Sequence, residues 1–482
     1  MEAFRRFRSS WQFPTALMCV YGFFSMVKPL EPFLIPYLTG PDKNLTTQQV
    51  GNEILPVWTY SYLIILLPVF LATDYLRYKP VIILQVLSLI TTTTMLLWAD
   101  GVLAMQFMEF FYGVVTATEI AYFSYIYSVV DLERYQKVTS YCRSIQLAGY
   151  TVGSVLGQFL VTFEAMSFYN ILIMTLVLSC IALIASFFLP MPEKSMFFHR
   201  KNCITPEGNG QIQLPEDTDK TTAQKTGGND LGGSTSASVV HENTGFVSIL
   251  KQLWFDFLKC YTAKQLIYWS LWWILSTCGY YQVGNYIQVL WEDKKPSQNF
   301  TLYNGGVEAA AHLFGTATTY AVGFMGTDWT VWGELTLGLF SGLGAAALLL
   351  MSLTDSIWIC YAGYIVFKGL YMLLITIAMF QIAAHLSMER YALVFGANTF
   401  GALILQTLVT AIVVDSRGLR LDIVSQFIIY GSYFGVIAAI FVIRGIYTVV
   451  SARRKRKSVL PETIAIPDEN GLHKDVLLSH KF

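Results

Sequence analysis

The sequence predicts an all-α membrane protein with twelve transmembrane helices, arranged as six plus six. Two observations carry this prediction. Of the 482 residues, 54% are hydrophobic and only 13% are charged, about half the charged share of an average soluble domain. Apolar stretches of about 20 residues, the length that crosses the hydrocarbon core as a helix, also recur along the chain. Basic and acidic residues balance at 32 each, so no net charge favours a nucleic-acid partner.

The predicted spans fall into two sets of six. The first set lies near residues 12–38, 54–73, 80–99, 104–129, 140–163 and 168–189. The second set lies near residues 264–291, 303–326, 331–353, 357–384, 391–414 and 422–447. Because the first span follows the basic start MEAFRRFRSS directly, we expect it to act as a signal anchor, with no cleaved signal peptide.

Composition divides the chain into four predicted regions. They are an N-terminal six-helix half (1–192), a cytosolic and partly disordered linker (193–262), a C-terminal six-helix half (263–450) and a cytosolic tail (451–482). The linker is rich in Gly, Ser, Thr and Asp, and it has few apolar side chains to bury.

Basic residues predict the orientation of the bundle. They cluster at the N-terminus, after the second and fourth spans, in the linker and in the tail RRKRK at 453–457, all on one side under an even number of crossings. The excess of basic residues on the cytosolic side therefore predicts that both termini are cytosolic. The sequons at Asn44 and Asn299 fall in loops on the other side, where we expect glycosylation in a plasma-membrane protein.

Two halves joined by a long loop are typical of major facilitator transporters. The segment DYLRYKP at 74–80 resembles the cytosolic signature of that superfamily, although an ordinary basic turn remains an alternative. The chain has no GxxxxGK[ST] loop, which argues against an ATP-driven pump. Its seven cysteines show no CxxC spacing, so we predict no disulfide framework, no metal site and no cofactor.

Ionisable residues inside the predicted spans point to a function. Such a residue costs about 2.5–3.5 kcal/mol to insert, so it marks a candidate site. Four glutamates qualify, namely Glu31, Glu109, Glu119 and Glu308. Lys28 and Lys368 also lie within spans; Lys28 either pairs with Glu31 or extends to the interface.

Helix direction places several of these residues in one layer. Five spans contribute polar or aromatic side chains to the outer half of the bilayer: Glu31, Trp58, Glu109, Tyr112, Asn285 and Glu308. Carboxylates and aromatic rings at one depth predict a shared cavity for a small organic cation. Glu119 is in the same predicted helix as Glu109 and lies about 15 Å further in along its axis. We predict that Glu119 lines the transport pathway and contributes to its charge selectivity. For each glutamate a structural salt bridge remains the alternative.

Several segments carry a resemblance to a known family. EPFLIPYLTGPDKNLT (31–46), NEILPVWTYSYL (52–63), EFFYG (109–113), YNGGVEA (303–309) and ERYALVFGANTF (389–400) are among them. The chain resembles the reduced-folate and thiamine transporter family, solute carrier family 19, over nearly every span. Within that family it is similar to the thiamine transporters, because Glu119 stands where the folate carriers place an arginine.

The resemblance implies roles for individual residues. It implies that Trp58 stacks on the aminopyrimidine ring of thiamine, while Glu109 and Tyr112 bond its nitrogens. It also implies that Glu31, Tyr150, Asn285 and Glu308 line the same pocket. The chain departs from the thiamine-transporter pattern at two further pocket positions, Leu55 and Thr93, where aromatic residues are frequent in that group.

We therefore expect thiamine uptake across the plasma membrane by alternating access. Exchange of a proton for the cation through one of the glutamates is one open mechanism. A folate or other organic-ion carrier on the same fold, and a receptor that binds without transport, are the alternatives. No HExxH motif, nucleophile elbow or pair of aspartates within spans suggests an enzyme. The lipid bilayer is the expected surrounding, and nothing in the sequence implies an oligomer.

Overall fold

The structure, a computed structural model, describes residues 11–130, 132–192, 264–297, 302–322, 329–383 and 388–464, together with positions 251, 255, 258 and 261. Every regular element in those ranges is a helix. The helices before residue 192 pack mainly on one another, as do the helices after residue 264.

The first group of helices follows the predicted spans closely. It comprises α1 (Gln12–Met26), α2 (Leu34–Thr39), α3 (Leu55–Tyr75), α4 (Lys79–Trp98), α5 (Val102–Thr118), α6 (Ile120–Val129), α7 (Leu132–Thr162) and α8 (Phe168–Phe188). A 3₁₀ turn at Glu31–Phe33 precedes α2. A helical turn at Thr47–Gln49 and a π-helical turn at Val50–Ile54 lead directly into α3.

The second group contains six long helices. They are α9 (Lys264–Lys294), α10 (Asn304–Val322), α11 (Trp329–Leu353), α12 (Ile357–Ala383), α13 (Met388–Val409) and α14 (Ile423–Ile464). A second π-helical turn, Thr410–Val414, extends α13. Asp422 caps α14, since its carboxylate accepts hydrogen bonds from the Ser425 hydroxyl (2.7 Å) and amide (3.0 Å). These hydrogen bonds lower the pKa of Asp422.

Polarity separates the predicted spans into two kinds. Eight helical segments among the described residues are long and apolar enough to cross a membrane. The four other predicted spans correspond to α5 with α6, α7, α9 and α10, which are also helical. These helices carry Glu109, Tyr150, Asn285 and Glu308. In α7, α9 and α10 the lower hydropathy has a local cause, because these helices turn polar side chains toward a cavity and away from lipid. α5 (17 residues) and α6 (10 residues) are instead each short, because the turn at Glu119 divides their span.

Three helix boundaries differ from the prediction. The fourth span is interrupted by a turn at Glu119, between α5 and α6. The fifth begins at Leu132, eight positions before residue 140. The last runs to Ile464, beyond residue 447 and into the predicted tail. Hydropathy did not reveal this extension, because the Arg and Lys residues that form it are good helix formers but too polar for a span.

The first span is broken where prolines follow one another. α1 ends at Met26, and residues 27–30 are not helical before the 3₁₀ turn begins at Glu31. Pro29 lies in this break, and Pro32 lies in the 3₁₀ turn that follows it. Proline lacks an N–H group and disfavours a helical residue before it, so a continuous helix cannot pass through both. The break exposes Lys28 and Glu31 to the space between the two groups of helices.

One end of the bundle holds the loops around residues 40–46, 99–101, 163–167, 295–297 and 415–422. We call it the outer end, following the predicted orientation. Hydrogen bonds join the two groups of helices there. Asn52 donates to the carbonyls of Val414 (2.5 Å) and Leu421 (3.5 Å), and Tyr60 donates to Asp415 (2.6 Å).

Further contacts reinforce the outer end. Gln158 on α7 donates to the carbonyl of Leu302 (2.7 Å) and accepts from the amide of Gly306 (3.0 Å). Glu53 forms an ion pair with Arg420 at 3.7 Å. These contacts would have to open before a ligand between the two groups of helices could leave toward the outer end.

Candidate functional site

A cavity of about 300 Å³ lies between the two groups of helices. This volume is at the lower end of the range for small-molecule sites. All nine residues predicted to bind substrate line it: Glu31, Leu55, Trp58, Thr93, Glu109, Tyr112, Tyr150, Asn285 and Glu308. The structure thus brings together residues that lie up to 277 positions apart (308 − 31). Their role in binding stays a prediction.

On one wall, Lys28, Glu31 and Tyr112 form a connected group. The Tyr112 hydroxyl donates to Glu31 Oε1 at 2.7 Å. Lys28 Nζ lies 3.7 Å from Glu31 Oε2 and 3.3 Å from the Tyr112 hydroxyl. Lys28 therefore pairs with Glu31, the first of the two alternatives that the sequence allowed. The negative charge of Glu31 has a cation beside it before any ligand binds.

Three glycines on α7 allow the broken first span to reach this position. Gly149, Gly153 and Gly157 follow one another at intervals of four and share one face of the helix. A Cβ atom at Gly153 would lie 2.8 Å from the Lys28 amide nitrogen, and one at Gly157 would collide with the Pro29 carbonyl oxygen. Small residues at this spacing let two backbones approach closely, so the glycines position Lys28 and Glu31.

Elsewhere on the cavity wall, Glu308 is held by Lys368 and Tyr364. Lys368 Nζ lies 2.6 Å from Glu308 Oε2, and the Tyr364 hydroxyl donates to Glu308 Oε1 at 2.8 Å. His312, one turn beyond Glu308, has Nε2 3.1 Å from Lys368 Nζ. Glu308 and Lys368 are each about 5% exposed, so this is a buried ion pair. Such a pair persists only where both charges are well partnered.

Glu109 differs from the other two carboxylates of the cavity. It lies on α5, is 3% exposed and borders the cavity. In the part of the chain that the structure describes, its carboxylate makes no hydrogen bond or ion pair within the distance limits that Glu31 and Glu308 satisfy. A buried carboxylate without a partner is costly. Glu109 therefore has unused capacity to bind a cation or a hydrogen-bond donor.

Aromatic side chains complete the cavity. Trp58 donates from Nε1 to Thr116 Oγ1 at 3.1 Å, which fixes the orientation of its ring. The ring of Tyr150 lies 4.3 Å from that of His312, centre to centre. Tyr280 stacks on Tyr371 at 3.9 Å with the planes 10° apart. Aromatic faces of this kind attract organic cations.

The remaining predicted residues are mainly neutral wall positions. Leu55 and Thr93 are both 3% exposed, and the Thr93 hydroxyl is satisfied by the Leu89 carbonyl at 2.9 Å. Asn285 Nδ2 is buried without a hydrogen bond of ordinary geometry to any described residue. Its amide is therefore a second polar group with spare bonding capacity.

Two predicted sites lie outside the cavity. Glu119 does not line it and lies deeper, at the turn between α5 and α6. Asn44 is exposed in the loop after α2 with a positive φ of 52°. Asn299, the other predicted glycosylation position, is outside the described residues.

The predicted set omitted several lining residues, above all Lys368, Tyr364 and Gln288. The sequence marks Lys368 as an ionisable residue within a span but does not identify its partner. The available signal was the spacing of four between Tyr364 and Lys368, which places both on one face of α12. Gln288 donates to the Glu31 carbonyl at 2.9 Å and gave no such signal.

A polar, charged cavity between two groups of membrane helices defines a solute transporter. Comparisons with known proteins give the family. The model of the family described as reduced folate carrier matches residues 9–429. The chain belongs to this family, whose members are carriers and not enzymes.

Curated relatives match nearly the whole chain. Thiamine transporter 1 of Homo sapiens is 56% identical, covering 93% of this chain and 92% of that protein. Thiamine transporter 2 of Homo sapiens is 50% identical, with 95% of each covered. The reduced folate transporter of Homo sapiens is 41% identical over 90% of this chain and 72% of that protein.

Solved structures confirm the fold. A POT family transporter, crystallised with a thioalcohol-conjugated peptide, has a TM-score of 0.59 at 12% identity and covers 90% of this chain and 95% of its own. The nucleoside transporter NupG has a TM-score of 0.57 at 13% identity and covers 89% and 98%. At these identities the likeness concerns the fold alone. The predicted major facilitator fold and multi-pass membrane character are confirmed.

Proposed function

We propose that this protein takes up thiamine across the plasma membrane by alternating access. The observation that carries the proposal is Glu109, a buried carboxylate at the cavity surface without a protein partner among the described residues. The other two cavity carboxylates each have a lysine beside them. A site with one unpartnered carboxylate and aromatic walls suits a ligand with one positive charge and a flat ring, such as thiamine. The printed names of the 50–56% identical relatives support the same substrate.

Each part of thiamine has a proposed contact. The aminopyrimidine ring stacks on Trp58, while Glu109 and Tyr112 accept or donate hydrogen bonds at its nitrogens. Asn285 offers an amide group that has no hydrogen bond of ordinary geometry in the structure. The thiazolium charge is balanced by the single net negative charge of the cavity, because Glu31 and Glu308 each have a lysine beside them and Glu109 has none. Glu119 acts deeper in the transport path, where it selects for the charge of the transported molecule.

Transport requires the two groups of helices to rock about this cavity. We assign them to an N-terminal half (1–192) and a C-terminal half (263–450), joined by the linker and followed by a cytosolic tail. The hydrogen bonds of the outer end hold one exit shut in this structure. A bound ligand shifts the equilibrium between the outward-open and inward-open states. The size of that shift is set by how much more tightly the ligand binds one state than the other.

Orientation and coupling belong to the same proposal. Both termini lie in the cytosol, and glycosylation at Asn44 and Asn299 takes place outside. A proton exchanges for the cation through Glu109 or a neighbouring carboxylate. Uptake measured across an imposed pH gradient, at a constant fraction of protonated thiamine, tests the proton coupling. Uptake that does not depend on the gradient would contradict proton coupling.

The central test is thiamine uptake by Glu109→Gln and Trp58→Ala beside an expression-matched parent. A hydrogen bond to a charged group contributes about 1.5–3 kcal/mol, and each 1.4 kcal/mol is tenfold in affinity. We therefore expect Glu109→Gln to lower apparent affinity at least about tenfold, and Trp58→Ala to lower it by several-fold through lost stacking. Glu164→Gln, at an exposed turn, serves as the control. Parent-like uptake by both cavity variants would contradict the proposed site.

A folate or other organic-anion carrier is the second candidate. The lysines in the cavity wall and the 41% identical reduced folate transporter favour it. Excess unlabelled thiamine and excess unlabelled folate, each tested against labelled thiamine uptake, separate the candidates. Inhibition of labelled thiamine uptake by thiamine but not by folate supports the first proposal. In a parallel measurement with labelled folate, uptake that excess thiamine does not inhibit supports the second.

A further inference from the structure

Lysine residues are unexpected in a cavity proposed to bind a cation. Among the described residues, the carboxylate and ammonium side chains that line the cavity are three glutamates and two lysines: Glu31, Glu109, Glu308, Lys28 and Lys368. His312 lies behind Lys368 and is not among the lining residues. With Glu109 ionised against a bound cation, the five lining groups sum to a single negative charge. The cavity therefore balances one positive charge and no more.

Geometry shows that the lysines act on specific carboxylates. Lys368 Nζ is 2.6 Å from Glu308 Oε2 and approaches the ring of Tyr364 to 5.4 Å and that of Tyr150 to 5.8 Å. It thus occupies the carboxylate and also two aromatic faces that would otherwise attract a ligand's charge. Lys28 likewise lies beside a carboxylate, with its Nζ 3.7 Å from Glu31 Oε2.

We propose that Lys368 determines specificity by limiting the substrate to one positive charge. Lys28 makes the matching contribution at Glu31. Because Lys368 neutralises Glu308, that carboxylate accepts a hydrogen bond from an uncharged polar group of the ligand and does not serve as the counter-ion for a second cation. This inference rests on the proposed function, since it concerns the same cavity and the same substrate.

Coulomb's law supports a measurable effect. A cavity of about 300 Å³ keeps every part of a ligand within a few atoms of its walls. At an effective dielectric constant of about 20, unmasking the negative charge of Glu308 about 6–12 Å from the second positive charge of a dication changes affinity about 10- to 100-fold. Removing the lysine charge should therefore relax discrimination against dications by about that factor.

The test uses a thiamine analogue in which a 2-aminoethyl group replaces the hydroxyethyl group. Its ammonium is close to the hydroxyl in size, and it carries two positive charges at neutral pH. The measured quantity is the ratio of the concentrations of analogue and of thiamine that halve labelled thiamine uptake or binding. Taking this ratio cancels any loss of affinity that a variant shows equally for thiamine and for the analogue.

Four proteins form a charge cycle at the Glu308–Lys368 pair. The parent and the double variant Glu308→Gln/Lys368→Met both leave the cavity with one net negative charge, so they should share the same high ratio. Lys368→Met adds a negative charge and should lower the ratio about tenfold or more. Glu308→Gln removes one and should raise it.

The outcomes separate this inference from the proposed function. If the parent neither binds nor transports thiamine, the proposed function fails. If the parent binds thiamine but both single variants keep its ratio, the charge limit is overturned while thiamine transport stands. Should Lys368→Met not fold, Glu308→Gln and the double variant still decide, because only a charge limit predicts a raised ratio in the first and a restored ratio in the second.

Discussion

Three carboxylates in one cavity have different surroundings and so different roles. Glu31 and Glu308 each contact a lysine and a tyrosine hydroxyl. Glu109 contacts neither among the described residues. A carboxylate with partners stays charged at a modest cost, whereas one without them must bind a ligand or a proton. The capacity of the cavity for one cation therefore resides in Glu109.

At the residue scale, Tyr112 connects two of the charged groups. Tyr112→Phe removes the 2.7 Å bond to Glu31 and the 3.3 Å contact with Lys28 while it keeps the ring. A hydrogen bond to a charged group contributes about 1.5–3 kcal/mol. We expect the concentration of thiamine for half-maximal uptake to rise about tenfold. Tyr169→Phe, on the exposed side of α8, should change it little. An equal effect of both substitutions would contradict the role assigned to the Tyr112 hydroxyl.

At the element scale, the close packing of α7 against the broken first span holds one wall of the cavity in place. Gly149, Gly153 and Gly157 present no side chain to residues 23–29. The backbone of the break then lies directly on the helix. The position of Glu31 consequently depends on residues that never touch a ligand.

This packing gives a prediction for Gly153→Ala. The added methyl group meets the Lys28 amide at 2.8 Å, so overpacking should cost about 1–3 kcal/mol. Replacing glycine by alanine within a helix otherwise stabilises it by about 1 kcal/mol. Gly435→Ala on α14, where nothing lies within 4 Å, provides the matched control. We expect Gly153→Ala to melt at lower temperature in detergent and to bind thiamine more weakly, and Gly435→Ala to do neither. A stabilised Gly153→Ala would be evidence against the close approach.

At the scale of the whole molecule, the outer end joins the two halves. Two π-helical turns meet there, Val50–Ile54 and Thr410–Val414. Asn52 in the first is 5% exposed and donates to the last residue of the second. Turns of this type often occur at functional positions. Their contact is the natural place for the closed end to open.

Asn52→Ala should therefore favour the state that is open at the outer end. Losing buried hydrogen bonds costs about 1–2 kcal/mol, which shifts an equilibrium about 5- to 30-fold. The reporter is Leu55→Cys in the cavity, labelled by a membrane-impermeant thiol reagent added outside. Labelling should accelerate with Asn52→Ala. Thr91→Val, which removes a hydroxyl bond within one helix, should leave the rate unchanged. Identical rates in all three backgrounds would show that Asn52 does not hold the outer end.

The sequence by itself determined much about this protein. Hydropathy located the helices, because each span must be apolar over about 20 residues wherever it meets lipid. The polar residues in α5, α9 and α10 identified three of the helices that line the cavity, since a costly residue in a span has to face something other than lipid. Helix direction then put Glu31, Glu109 and Glu308 in one layer, and the structure places all three around one cavity.

Only the tertiary structure decided which charges are paired. Lys368 and Glu308 are 60 positions apart, yet their side chains meet at 2.6 Å, while Glu109 has no such partner in the described part of the chain. A pairing of this kind depends on how closely two different helices bring their side chains together, and no local pattern encodes that distance. Hydropathy reports what each residue costs in lipid, whereas the charge of the cavity depends on which residues neutralise one another across it.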